Sequence, residues 1–182
     1  MIVVVEATPN PRTRKFLPGR HLSSVPREFS REARGGDPLV QAIFALPAVK
    51  TVLVSEDAFS VTLDDEAAWA GTAPAIRETI VGMLSSDFLT DAGGANPEAP
   101  VDFDEKDAAI VETIRELIDT RIRPAVAGDG GDIVLRSFRD GVLGLEMRGA
   151  CSGCPSSAAT LQHGIQNLMR YFVPEVTEVV SV

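Results

Sequence analysis

Residues 89–101 decide how this chain can fold. The stretch holds a Gly93-Gly94 pair, Pro97 and Pro100, with small and polar residues between them and no apolar pattern. Glycine and proline at that density can anchor no core, so the stretch reads as a linker. The 182 residues therefore divide into two small α+β domains, 1–88 and 102–182, and each must build its own core. With 45% apolar residues overall, the material is there.

The first half starts on a β-branched run at 2–7. Thr8-Pro9-Asn10-Pro11 breaks it, and an extended stretch resumes at 12–17 before Pro18-Gly19. Residues 20–36 read as polar and irregular. They carry Arg20, Arg27, Arg31 and Arg34 against Glu28 and Glu32, which fits a solvated loop or a contact for an acidic partner. Asp37-Pro38 starts a short helix whose buried face is Leu39, Val40, Ile43, Phe44 and Leu46. Residues 49–54 and 59–63 form a hairpin by length and pattern. A helix is expected over 66–88 from Ile76, Ile80, Met83 and Leu84, with Pro74 either starting or kinking it. The sheet of this half should be small and mixed or antiparallel. His21, beside Arg20, reads as a surface loop residue.

In the second half Asp104 is placed to cap a long helix whose buried stripe is Ile110, Ile114, Leu117, Ile118 and Ile122, ending at Arg123-Pro124. Asp129-Gly130-Gly131-Asp132 reads as a tight turn. A calcium loop would need a longer run of spaced oxygens and a closing Glu. Strands follow at 133–138 and 142–148, joined by Arg139-Asp140-Gly141. Leu161, Ile165, Leu168, Met169 and Phe172 then mark a helix ending at Pro174, and 176–180 is a last strand. The order α-β-β-α-β predicts a three-stranded sheet, two helices packed on it, and a cysteine loop at one end. His163, roughly 200° round the helix from Leu161, points away from the core.

That loop holds Cys151 and Cys154, the chain's two cysteines. Thiols three positions apart can share a metal or cluster, or close a redox disulfide. Pro155 suits a first helical position, and a helix N-terminus favours thiolate over thiol, so both cysteines are expected to be anionic ligands rather than buried thiols. Iron–sulfur cubanes and structural zinc sites both take about four ligands. One chain offers two, so a symmetric dimer would supply two plus two. From the residues alone three other readings stay open: a thioredoxin-like thiol–disulfide oxidoreductase, a zinc-bridged structural dimer, and a structural disulfide or idle thiols. Against the first, the thioredoxin motif usually follows the first strand of a βαβ unit, whereas here the pair follows a hairpin.

No Ser/His/Asp set, paired catalytic carboxylates or phosphate loop is apparent, so the chain is not expected to be an enzyme. A net charge of −9 argues against nucleic acid or an anionic membrane as partner, and 5% aromatics offer no base-stacking platform. No apolar run approaches the ~20 residues of a membrane span. The opening Met-Ile-Val-Val-Val is too short for a signal-peptide core, and no Arg/Ser-rich transit segment precedes it. A bacterial cytoplasm is the expected compartment, with the mitochondrial matrix after processing as the alternative.

The second half resembles the NifU C-terminal (Nfu) domain. The likeness is carried by Arg123-Pro124, Asp129-Gly130-Gly131-Asp132, the run Gly149-Ala150-Cys151-Ser152-Gly153-Cys154-Pro155-Ser156-Ser157, Thr160-Leu161, Gly164-Ile165 and Pro174-Glu175-Val176. Residues 1–88 resemble the N-terminal domain of two-domain Nfu proteins through Thr8-Pro9-Asn10-Pro11, Lys15-Phe16-Leu17-Pro18-Gly19, Pro38-Leu39 and residues 44–49. A bare CxxC is shared with thioredoxins and zinc modules; the ordered set across both halves is specific. The resemblance implies an iron–sulfur carrier. In it Cys151 and Cys154 of two subunits hold one bridging 4Fe–4S cluster per dimer. It also implies an upstream cluster scaffold as donor and apo iron–sulfur enzymes as recipients, typically lipoyl synthase, aconitase-type dehydratases and respiratory components.

Overall fold

Strand β1 (Val4–Ala7) starts the first unit at the edge of a five-stranded antiparallel sheet in the order β1-β2-β5-β4-β3. Its partner β2 (Thr13–Leu17) pairs in turn with β5 (Phe59–Leu63), and β4 (Val49–Val54) closes the expected hairpin with β5. The computed structural model describes residues 2–33, 35–84, 100–152 and 155–182, without the side chains of 155–157. Most of the linker, Arg34, residues 85–88 and Cys154 lie outside them. The chain divides into two compact units, Met1–Asn96 and Pro97–Val182. No described helix is long and apolar enough to cross a membrane.

Residues 20–36 are not wholly irregular. Arg27–Ser30 form β3, which pairs only with β4. Its single buried apolar residue, Phe29, gives too little alternation to announce a strand, and charge suits an edge. Helix α1 (Pro38–Phe44) starts as expected: Asp37 accepts from the Leu39 and Val40 N–H groups at 2.8 and 3.1 Å, a cap worth about 1 kcal/mol. Helix α2 (Trp69–Leu84) neither starts at Pro74 nor breaks there. A turn at Glu66–Ala68, capped by Asp65, leads into it. Phe16, Ile43, Phe44, Val52, Phe59, Val61, Ile76 and Ile80 make this unit's core.

The second unit has four strands, not three. Asp102–Phe103 form β6, parallel to β7 (Gly131–Arg139). The sheet order is β6-β7-β8-β9, with β8 (Val142–Gly149) antiparallel to β7 and parallel to β9 (Glu178–Ser181). A two-residue strand carries no period for sequence to reveal. Asp104 forms no side-chain cap; its Oδ1 accepts from Arg139 Nη1 at 2.8 Å, while Arg139 Nε donates to Asp102 Oδ2 at 2.9 Å.

The long helix also outruns its expected end. Helix α3 (Ala108–Leu117) passes through a π turn at Ile118–Ile122 into α4 (Arg123–Gly128). Pro124 falls in the first turn of α4, where a missing N–H is least costly, so it stops nothing. Helix α5 (Pro155–Phe172) begins at Pro155, as expected. Its last stripe residue, Phe172, is 43% exposed rather than buried and lies under the Arg121 guanidinium at 4.7 Å. Ile114, Ile118, Ile133, Leu143, Leu145, Ile165, Met169 and Val179 fill the core, and Cys151 packs against it.

Candidate functional site

The β7–β8 hairpin places the first cysteine. Asp140 and Gly141, at φ 50° and 82°, form the tight turn that an Asp-Gly pair favours. From there the strands run back to two facing pairs, Asp132 with Arg148 and Gly131 with Gly149. A bulge lies between Leu135 and Ser137. Beyond it Phe138 rather than Ser137 faces the core, and Arg136 is turned toward Glu146.

At Gly149 the chain turns through φ 59°, where a Cβ would cost about 1–2 kcal/mol. Three backbone bonds fix the turn. Ala150 N–H donates to Gly130 O at 3.0 Å, Cys151 N–H to Arg148 O at 3.3 Å, and Ser152 N–H to Gly149 O at 3.1 Å. The Ser152 hydroxyl also donates to Gly149 O, at 2.9 Å. The Cys151 side chain ends against Gly131: a Cβ there would lie 2.3 Å from its Sγ. Contrary to the expectation of an unburied ligand, Cys151 is only 6% exposed in this single chain, because its side chain packs into the core of the unit. Cys154, three residues on, lies outside the described residues.

Gly131 is followed by Asp132, a buried carboxylate. Arg123 Nε lies 3.1 Å from Asp132 Oδ1, its Nη2 donates to Ile133 O at 3.1 Å, and its Nη1 reaches Asp119 Oδ1 at 2.8 Å. Burial pushes the Asp132 carboxyl above its ordinary value, partly offset by Arg123, the Ile133 N–H and Arg148. The charges continue across the hairpin: Arg148 Nε donates to Glu146 Oε1 at 2.7 Å and Arg136 Nε to Glu146 Oε2 at 2.6 Å. Burial alone would raise Glu146, but the hydrogen bonds from Arg148 and Arg136 leave it below the ordinary carboxylate value.

Asp132 is matched by arginine, and no three His, Cys, Asp or Glu among the described residues cluster as metal ligands. His21 and His163 are both exposed, as expected. The sequence singled out Cys151 as a candidate ligand but not the residues packed around it. Asp132 read as part of a turn and Arg123 as a helix end. The available signal was an acid at the head of the apolar run Ile133-Val134-Leu135, a position where a carboxyl needs either a partner or a proton.

The NifU-like domain family matches residues 114–180, and the family described as scaffold protein Nfu/NifU N terminal matches residues 2–87. A human relative, "NFU1 iron-sulfur cluster scaffold homolog, mitochondrial", is 37% identical over 186 residues, spanning 100% of this chain and 72% of its own length. The chain belongs to the Nfu family. A Drosophila persimilis Nfu relative of the same name is 36% identical over 185 residues. This chain spans 65% of that relative's length. The solution structure of a NifU-like protein from Saccharomyces cerevisiae aligns with 51% of this chain and 87% of its own, at 18% identity and a TM-score of 0.47. The two Nfu relatives are named as mitochondrial, which agrees with the organellar alternative and lends no support to the cytoplasmic expectation.

Proposed function

We propose that this chain is an iron–sulfur cluster scaffold and carrier. Cys151 and Cys154 of two subunits hold one 4Fe–4S cluster between them and release it to apo iron–sulfur proteins. The observation that carries the reading is the seat of Cys151. It is a thiol on a glycine-walled turn, at the end of a rigid hairpin and a few residues before the N-terminus of α5. Soft thiolates suit iron–sulfur clusters, and a cubane takes four of them, so a chain with two cysteines needs a second copy. Relatives named as iron-sulfur cluster scaffolds support the same cargo.

Each part of the loop has a task under this reading. Gly131 leaves the room that the Cys151 sulfur fills, and Gly149 supplies the left-handed turn that leads the chain to it. The N-terminal end of α5 offsets part of the charge of the thiolate-ligated cluster. The chain holds and presents the cluster and makes or breaks no covalent bond in a substrate, which is carrier chemistry rather than catalysis. A thiol–disulfide oxidoreductase is a poorer fit, because the cysteines follow the second strand of an antiparallel hairpin instead of the first strand of a βαβ unit.

Anaerobic reconstitution with iron and sulfide, followed by native mass spectrometry and iron, sulfide and zinc analysis, tests the proposal. A dimer carrying one 4Fe–4S cluster is expected, with transfer to an apo acceptor. A dimer that holds zinc and refuses iron would move the site to a structural metal. A metal-free monomer with a reversible Cys151–Cys154 disulfide would establish the redox reading instead.

A further inference from the structure

Around Cys151 lies a chain of contacts made by residues that are not themselves ligands. One guanidinium, Arg123, hydrogen-bonds Asp119 in the π turn through Nη1 and the Ile133 carbonyl in β7 through Nη2, while its Nε lies 3.1 Å from Asp132 Oδ1 as an ion pair outside hydrogen-bond geometry. Asp132 directly follows Gly131, and Gly131 is the backbone against which Cys151 Sγ rests. The contact at Gly131 is main chain, so no rotamer there can absorb a shift. A displacement of β7 at Gly131 changes the space in which the sulfur sits.

We infer that the Arg123–Asp132 pair is a positioning device that holds the head of β7 against Cys151 and sets how far its thiol is exposed. The inference rests on Cys151 being a cluster ligand, but it concerns the thiol itself and is read without cargo. The planar fork of Arg123 sets its direction through the Nη1 and Nη2 bonds and so aims Nε at Asp132, which a lysine ammonium cannot do. Arg123→Lys therefore separates the geometry from the charge.

The test uses the full-length apo chain with Cys154→Ser, in which Cys151 is the sole thiol. Its alkylation by iodoacetamide is followed at low urea concentrations. Adding Arg123→Lys is expected to speed alkylation about tenfold with unchanged far-UV circular dichroism. The acceleration should hardly depend on urea, because a local opening exposes little new surface. Arg139→Gln, which releases Asp102 and Asp104 at the far end of the hairpin, should leave the rate as it was.

An unchanged rate in Arg123→Lys overturns the inference. So does an acceleration that climbs steeply with urea, since the pair would then serve only global stability. If Arg123→Lys does not fold, the near-isosteric Asp132→Asn, measured the same way, carries the same two outcomes. Iron loading of the chain with both cysteines is measured separately. A chain that binds no cluster yet shows the acceleration would sink the ligand reading and leave the positioning role standing.

Discussion

Gly131 and Cys151 meet where no side chain fits: a Cβ on Gly131 would lie 2.3 Å from Cys151 Sγ, 3.1 Å from Arg148 O and 3.2 Å from Cys151 N. Two of these neighbours are backbone within a hydrogen-bonded hairpin, so they cannot swing aside. Gly131→Ala must therefore push the sulfur or part the strands. Overpacking of this kind costs about 1–3 kcal/mol. A lower urea midpoint for the second unit is expected, together with less iron retained after reconstitution. Wild-type values for both would mean that the sulfur moves freely and that the contact has no bearing on the site.

The two arginine-paired carboxylates of the hairpin, Asp132 and the half-buried Glu146, should give opposite pH dependences. Glu146 is held below its ordinary 4.5, so its contribution to stability is present above that value and lost as pH falls through the lower, folded one. Asp132 is raised above its ordinary 3.8. Its contribution is fully present below that value and is lost as pH rises through the higher, folded one. Urea midpoints measured from about pH 3 to about pH 7 check this against the ordinary titration range. The deficit of Glu146→Gln relative to wild type should grow with pH, and that of Asp132→Asn should shrink. Two slopes of the same sign would show that one of the carboxylates is misjudged.

The parts of the fold legible from sequence are those with a long period or sharp punctuation. The 49–54 and 59–63 hairpin, the capped start at Asp37 and the start of α5 at Pro155 all belong here. What escaped had neither. β3 has one buried apolar residue and β6 is two residues long. The π turn keeps an apolar stripe running while changing the helical repeat, so Pro124 looks like a stop when it opens a new turn.

In the proposed site, the sequence marked Cys151 as a candidate, whereas the contacts around it left no such mark. Counting back from the Arg139–Val142 pair without a bulge sets Asp132 opposite Gly149. The bulge at Arg136 moves it opposite Arg148 and makes the charged ladder possible. A one-residue slip leaves no mark in composition or period. The same limit applies to the arginines of 20–36. Read as solvated or partner-facing, the three described ones bind their own unit: Arg27 donates to Ser23 Oγ at 3.1 Å, Arg20 reaches Leu84 O at 3.4 Å, and Arg31 gathers four carbonyls.

Arg31 yields a prediction of its own. Its guanidinium donates to the carbonyls of Phe44, Leu46, Pro47 and Val49 at 3.3, 3.0, 3.0 and 2.8 Å, closing the C-terminal end of α1 onto the start of β4. Arg31→Ala leaves these acceptors to water or to nothing, at a cost of about 2 kcal/mol. Arg31→Lys should recover only part, because one ammonium cannot span four acceptors. Trp69, the chain's single tryptophan, is buried in this unit and reports its unfolding by fluorescence. An Arg31→Ala midpoint equal to wild type would return this arginine to the role of a partner contact.

The last prediction concerns the second unit by itself. Residues Pro97–Val182 carry their own sheet, their own buried cluster and the Cys151 turn. A unit of this size buries about 60–70% of the surface its unfolded chain exposes, enough for independent if modest stability. The fragment should unfold cooperatively in urea. After anaerobic reconstitution it should hold iron and sulfide as a dimer, since the proposed ligands, Cys151 and Cys154, both lie within it. Cooperative unfolding without cluster binding would make the first unit part of the loading site. A fragment with no cooperative transition would instead mean that the two halves depend on each other to fold, and cluster binding would then have to be studied in the full chain.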